Sequence, residues 1–287
     1  MTAVAPTRTR GLPVLRLTFR EVVSRKLVVW GIGLSGVFLA LFGFGFWMLY
    51  RHATGGSEGV IDAIAATILT VLGLYVVSFL AAFLALLVSV GAVSGEIDSG
   101  TLQAVIARPL PRVSWLLQRW AALVLIVSAY VAVMTGALML IARVIAHYSP
   151  TNPLLTVLLV MAQSAVILTL GMVASTRLST LAAGVVGFSL FGLAWLAGII
   201  EFIGGIVENP GMVHTGVAVS LLMPSDSLWR AASFFAQAPS AIREMAIGGG
   251  PPFVSSSPPT AASLWWALGW TVVVLLLGVR HFSRRDL

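Results

Sequence analysis

Few residues in this chain can do chemistry, and their spacing argues against catalysis. Two carboxylates, Glu96 and Asp98, stand close together in SGEIDSGTLQAVIARPLPR (94–112). Two residues apart, they point to different faces of any helix and make a poor general acid–base pair. The four histidines, His52, His147, His214 and His281, are scattered, and none has a neighbour at metal-ligand spacing. The chain contains no G-x-x-x-x-G-K-[ST] phosphate loop and no G-x-S-x-G nucleophile elbow. With no cysteine, disulfides, thiolate metal sites and cysteine nucleophiles are excluded. No catalytic residue and no metal ligand is therefore expected.

Composition says which elements must carry these residues. The 287 residues are 59% hydrophobic and 9% charged, with a mean hydropathy of +1.00. An ordinary globular chain is about 45–50% apolar and about 25% charged. Apolar runs of about 18 residues or more mark membrane-spanning helices. A closed β-barrel also spans membranes, but it needs segments of about ten residues with alternating polarity. The runs here are continuous and rich in Leu, Ala, Val and Gly, so the expected fold is an all-α integral membrane protein. Six spans are expected, over 27–50, 61–94, 120–146, 153–175, 181–203 and 263–279. At about 1.5 Å per residue the second would reach about 50 Å. That exceeds a hydrocarbon core of about 30 Å, so it must tilt, break or project.

Basic residues orient the spans. With both termini on one side, that side holds 13 of the 17 lysines and arginines, leaving Arg51, Arg143, Arg230 and Arg243 for the other. The positive-inside rule then puts both termini and the 94–112 stretch in the cytoplasm. The net charge of +7 belongs to this asymmetry, and no nucleic-acid partner is expected. Ahead of the first span, LPVLRLTFREVVSRK sets Leu12, Leu15, Phe19, Val22 and Val23 on one stripe, with Arg16, Arg20 and Arg25 off it. This is the pattern of an amphipathic interfacial helix whose arginines meet anionic lipid. The plainer alternative is a basic flank that orients the first span. No uninterrupted apolar core follows the basic start, so the segment does not read as a signal peptide.

Two charges fall near the outer ends of spans, Glu201 in the fifth and Arg143 in the third. Both are close enough to the interface to snorkel. If the protein uses them, they line a translocation path or outer vestibule, or pair with each other. The stretch 212–223 is apolar but too short to span. A seventh helix over 211–236 would bury Asp226 and Arg230 and carry the basic C-terminus outside. Residues 208–262 are therefore expected as an outer-face segment of short interfacial or re-entrant helices. It ends in GGGPPFVSSSPP (248–259), which reads as loop.

The 94–112 stretch has helix punctuation of its own. Asp98, Ser99 and Thr101 are N-cap candidates for a short helix over 101–107, with Leu102, Val105 and Ile106 on one side. Arg108 suits the C-terminal dipole, Pro109 stops the run, and Pro111 opens the helix that enters the third span. The expected result is a short helix lying nearly parallel to the membrane and presenting charge and an apolar knob.

These same residues resemble the cytoplasmic signature of type-2 ATP-binding-cassette (ABC) permeases, the membrane subunits of bacterial exporters. That signature is an acidic residue, then G-T-L, then an R-P-x-x-R turn. Glu96, Gly100, Thr101, Leu102, Arg108, Pro109 and Arg112 match one by one. The ending RHFSRRDL matches at Phe282, Arg284, Arg285, Asp286 and Leu287. The resemblance implies one permease domain over 1–287, with an N-terminal part (1–26) bearing the interfacial helix, a coupling loop (95–119), the outer segment (208–262) and a cytoplasmic tail (280–287). It implies six transmembrane helices, a coupling helix between spans two and three, and short outer helices before the sixth. It also implies a second permease subunit, identical or not, and two separate ATPase subunits docked on the loop that carries Glu96, Asp98, Leu102, Val105 and Ile106. ATP and Mg would sit on those partners, with no cofactor on this chain, in the bacterial cytoplasmic membrane. Two other classes are a membrane-embedded lipid-modifying enzyme, with only Glu96 and Asp98 as candidate catalytic groups, and an assembly protein without transport.

Overall fold

A segment in hydrocarbon must satisfy its own backbone, and continuous apolar runs do so as helices. The structure, a computed structural model, describes residues 18, 26–54, 60–95, 112–242, 253–255 and 257–283. Its long helices are α1 (Lys26–Thr54), α2 (Val60–Val90), α3 (Arg112–Ala146), α4 (Pro153–Ser175) and α5 (Thr180–Ile206). Two short helices follow, α6 (Pro210–Leu222) and α7 (Ser225–Ala236), and then the long α8 (Ala261–Ser283). No strand occurs among the described residues. Six of these helices are long and apolar enough to cross a membrane, so this is an all-helical, multi-pass membrane protein.

Side-chain contacts sort the helix ends into two sets. At one end the Ser94 hydroxyl donates to the Val90 carbonyl at 3.0 Å and accepts from Thr180 Oγ1 at 2.8 Å, tying the segment after α2 to the start of α5. There too Trp115 of α3 stacks on Phe282 of α8, with centroids 5.6 Å apart. Arg112, Arg119, Arg177 and Arg280 all belong to this basic end. At the far end the backbone N–H groups of Thr151 and Asn152 donate to Gln237 and Phe235 carbonyls, at 2.9 and 3.0 Å. The Tyr148 hydroxyl, pushed above its ordinary pKa by burial, donates to the Ala236 carbonyl.

The second span differs most from its expected limits. The second apolar run breaks: α2 stops at Val90, and a buried turn over 91–93 redirects the chain at Gly91. The helix of the third span begins at Arg112, next to the Pro111 expected to open it, and runs on without a Gly or Pro through RVSWLLQRW. Its 35 residues make about 52 Å, so its first turns extend beyond a core of about 30 Å. There the Arg119 guanidinium lies 5.5 Å from the Trp115 ring centroid.

Helix α4 is the hub, touching α2, α3, α5, α7 and α8. Its N-terminus is set by Asn152, whose side chain accepts from Leu155 N–H at 3.0 Å, with Pro153 at the first helical position. Val160, Ile167, Leu168 and Met172 project from it into the core. Helices α1 and α8 are peripheral. Their outward residues, Leu41 and Phe44 on α1 and Trp265 and Leu276 on α8, are more than half exposed, a surface suited to lipid.

Between α5 and α8 the chain reverses twice. Glu208 takes a left-handed φ of 53°, and Asn209 N–H donates to Gly204 O at 2.8 Å, closing α5 with a Schellman-type turn. Asn209 then caps α6 through Gly211 N–H and Met212 N–H, with Pro210 as its first residue. Helix α6 therefore runs back along α5. A Cβ on Gly216 would lie 2.7 Å from the Ala197 carbonyl oxygen, so only glycine permits that approach. Ala197 is about 13 Å from the end of α5. Helix α7 then climbs back to the far end, where Gln237 meets Thr151. The described part of 208–262 thus holds two short helices, α6 packed along α5 and α7 returning to the far end.

Candidate functional site

Charge placed on partly buried helix faces must be met locally. Asp226 and Arg230 are four residues apart on α7 and so share a face. Arg230 Nε donates to Asp226 Oδ2 at 2.8 Å. Its Nη1 donates to Glu201 Oε1 of α5 at 2.8 Å, and its Nη2 to the Gly198 carbonyl at 3.0 Å. The planar fork of a guanidinium is what allows one cation to hold three acceptors on two helices. The side chains of Arg230, Glu201 and Asp226 are 32%, 24% and 12% exposed. Two carboxylates share one guanidinium, and burial pushes the Asp226 carboxyl above its ordinary range while Arg230 pulls it back.

Asp226 also reaches a cavity of about 10 Å³, close to the room one water molecule needs. Its walls are aromatic, with Tyr75 and Phe79 from α2, Phe191 and Trp195 from α5, and Trp229 from α7. The rings interlock, Tyr75 with Trp229 at 5.1 Å and Phe79 edge-on to Phe191 at 5.4 Å. Ser78, Gln163 and Ser225 join Asp226 as its polar lining. Gln163 is only 4% exposed, and its Oε1 is buried without a hydrogen-bond partner. The Trp195 indole N–H donates to the Tyr75 hydroxyl, which leaves that hydroxyl's own proton for another acceptor. Tyr75, Gln163 and Trp195 lie near the middles of α2, α4 and α5, so the cavity sits at mid-depth in the bundle. It is too small for a cargo molecule.

The residues singled out from the sequence fare differently. Glu96, Asp98, Gly100, Thr101, Leu102, Val105, Ile106, Arg108 and Pro109 lie outside the described residues, as do Arg16, Phe19 and Arg20 of the expected interfacial helix. Arg112 opens α3. The residues flanking the loop, Ser94 with Gly95 and Arg112, belong to the basic end. Glu201 does not pair with Arg143, which is exposed in the last turn of α3. It pairs with Arg230, because α7 folds back against α5 while α3 does not reach it. Burial of Asp226 and Arg230, an argument against a seventh span, is met by their own ion pair. Gln163 passed unmarked in the sequence, where its signal was the lone amide in the apolar run LLTVLLVMAQSAVIL. For Asp226 and Arg230 the signal was the i, i+4 spacing in DSLWR.

No protein of curated function matches the sequence. The family model of the ABC-2 family transporter proteins matches residues 19–287. Six apolar helices long enough to span and a match over nearly the whole length agree, and the chain belongs to the ABC-2 family of membrane transporters.

Proposed function

We propose that the chain is the permease subunit of an ABC exporter, forming part of the translocation path and coupling it to ATP hydrolysis on separate subunits. The observation that carries this reading is the S-G-E-I-D-S-G-T-L…R-P-L-P-R stretch between α2 and α3, in a chain of the ABC-2 family. It is supported by the loop's flanks. Ser94 is bonded to the start of α5, and Trp115 is stacked on the end of α8, so a push on the loop reaches four helices at once. In this reading the basic end faces the cytoplasm of a bacterium, by the positive-inside rule. Two ATPase subunits carrying ATP and Mg grip Glu96, Asp98 and the Leu102, Val105 and Ile106 surface. The mid-depth cavity has room for about one water molecule, and in this reading cargo passes between two permease subunits.

The test is to express the chain with its cognate ATPase and combine Glu96→Lys with Leu102→Asp. The expected result is loss of ATPase co-purification, or ATP hydrolysis uncoupled from transport, with membrane insertion and unfolding midpoint unchanged. Normal co-purification and transport in the double variant would overturn the coupling role.

A further inference from the structure

We propose that the mid-depth cavity between α2, α4, α5 and α7 is a binding site for a primary ammonium group. Three features of the site suit the same ligand. Glu201 and Asp226 share the single Arg230 guanidinium, burial pushes the Asp226 carboxyl above its ordinary range, and Asp226 is the member that lines the cavity, so a second cation placed there would hold it ionised. Gln163, 4% exposed, brings a buried Oε1 that no protein donor satisfies, and it lines the same space. A buried acceptor left unpaired is destabilising, so it requires an N–H or O–H donor. Five aromatic rings complete the wall, and a cation against aromatic faces is stabilised most when it is desolvated.

Charge, donors and size narrow the class. An ammonium head brings one positive charge and three N–H donors. These suit the Asp226 carboxylate, the Gln163 carbonyl oxygen and a serine hydroxyl oxygen. Ser78 already donates its proton to the Tyr75 carbonyl at 2.9 Å, so its oxygen is left to accept. A hard divalent ion needs six or more oxygen ligands and would forgo the aromatic walls. A quaternary ammonium lacks N–H donors and exceeds a space of about 10 Å³. A neutral water would satisfy Gln163 but would leave the Asp226 carboxylate with only its share of Arg230.

This inference deepens the transport reading by naming the head group that the path recognises, and it rests on that reading only for its use. Its test needs the chain alone, so failure here leaves the coupling role standing, and loss of ATPase docking leaves the binding site standing. Purified full-length protein in lipid nanodiscs at pH 7 is titrated with ammonium, butylammonium, tetramethylammonium and sodium chlorides at matched ionic strength. The readouts are the unfolding midpoint and the fluorescence of the tryptophans. Ammonium should raise the midpoint by a few degrees and saturate, while tetramethylammonium and sodium should not. Butylammonium distinguishes a free ammonium ion from an amine-headed cargo, since only the second requires it to bind. Gln163→Leu leaves every ion pair intact and should weaken binding at least tenfold. Asp226→Asn should do the same, but Gln163→Leu carries the test if that variant folds poorly. No saturable shift, a shift reproduced by tetramethylammonium or sodium, or undiminished affinity in Gln163→Leu would each show that the cavity holds a structural water and overturn the proposal.

Discussion

The loop between α2 and α3 and the charge cluster at α5 and α7 achieve their distinctiveness in opposite ways. The loop is one unbroken stretch, SGEIDSGTLQAVIARPLPR, whose residues are neighbours in sequence. The cluster joins Glu201 to Arg230 across two helix reversals, and the cavity beside it adds Gln163 and Tyr75 from two more helices. A surface gripped by a partner must be continuous and exposed, so a local signature suits it. A polar site inside hydrocarbon must have its charge met from several directions, so no single segment can supply it. The difference predicts that damage to the loop spares stability and abolishes coupling, whereas damage to the cluster reaches the fold first.

The comparison can be broken most decisively at the loop. Combining Glu96→Lys with Leu102→Asp should reduce transport to background while the unfolding midpoint stays that of the wild type; a large stability loss would erase the contrast. Next in size is Arg230→Met, which leaves Glu201 and Asp226 facing each other without their cation. Removing one partner of a buried pair costs about 3–5 kcal/mol, and the partial exposure of Arg230 puts this case near about 3. Denaturant unfolding of the reconstituted protein measures it, and Glu201→Gln in the same chain should restore part of the loss. Arg230→Lys should fall between, because an ammonium cannot reproduce the three-way fork.

Gly216→Ala sharpens the comparison at the turn that creates the cluster. Its new Cβ meets the Ala197 carbonyl oxygen at 2.7 Å and the Glu201 nitrogen at 2.9 Å, both backbone atoms that cannot rotate away. Overpacking of about 1–3 kcal/mol outweighs a helix-propensity gain of up to about 1 kcal/mol. The expected outcome is a lower unfolding midpoint with weakened contact of α6 on α5, read by hydrogen exchange of 210–222. Smallest is Ser94→Ala, which removes the hydroxyl that bridges Val90 and Thr180. It should cost about 1 kcal/mol. Because Ser94 adjoins the loop, transport per ATP hydrolysed should fall more than stability does.

Most of the fold was legible in the sequence. Continuous apolar runs located the spans, and the six long helices occupy those positions. The second run stops at Val90, short of its expected limit, and the third helix starts at Arg112, beside the Pro111 expected to open it. The partner of Glu201 was not legible. Arg143 and Arg230 were both outer-side arginines, and only the Glu208 turn with its Asn209 cap decides which one approaches. Gln163 was equally hidden, because an amide in an apolar run gives no sign of whether a donor awaits it.

The amino-acid sequence by itself determined the all-helical class, the six spans, the asymmetry of basic charge and the loop signature. Each of these is a sum over neighbouring residues, and hydrophobicity, charge and helix punctuation act within a few turns. Tertiary structure alone decided that α6 and α7 fold back along α5, that Arg230 rather than Arg143 meets Glu201, and that Asp226 and Gln163 line one cavity. Those outcomes depend on which helix faces meet. That is set by close packing at residues such as Gly216 and by the need to pair charge on partly buried faces.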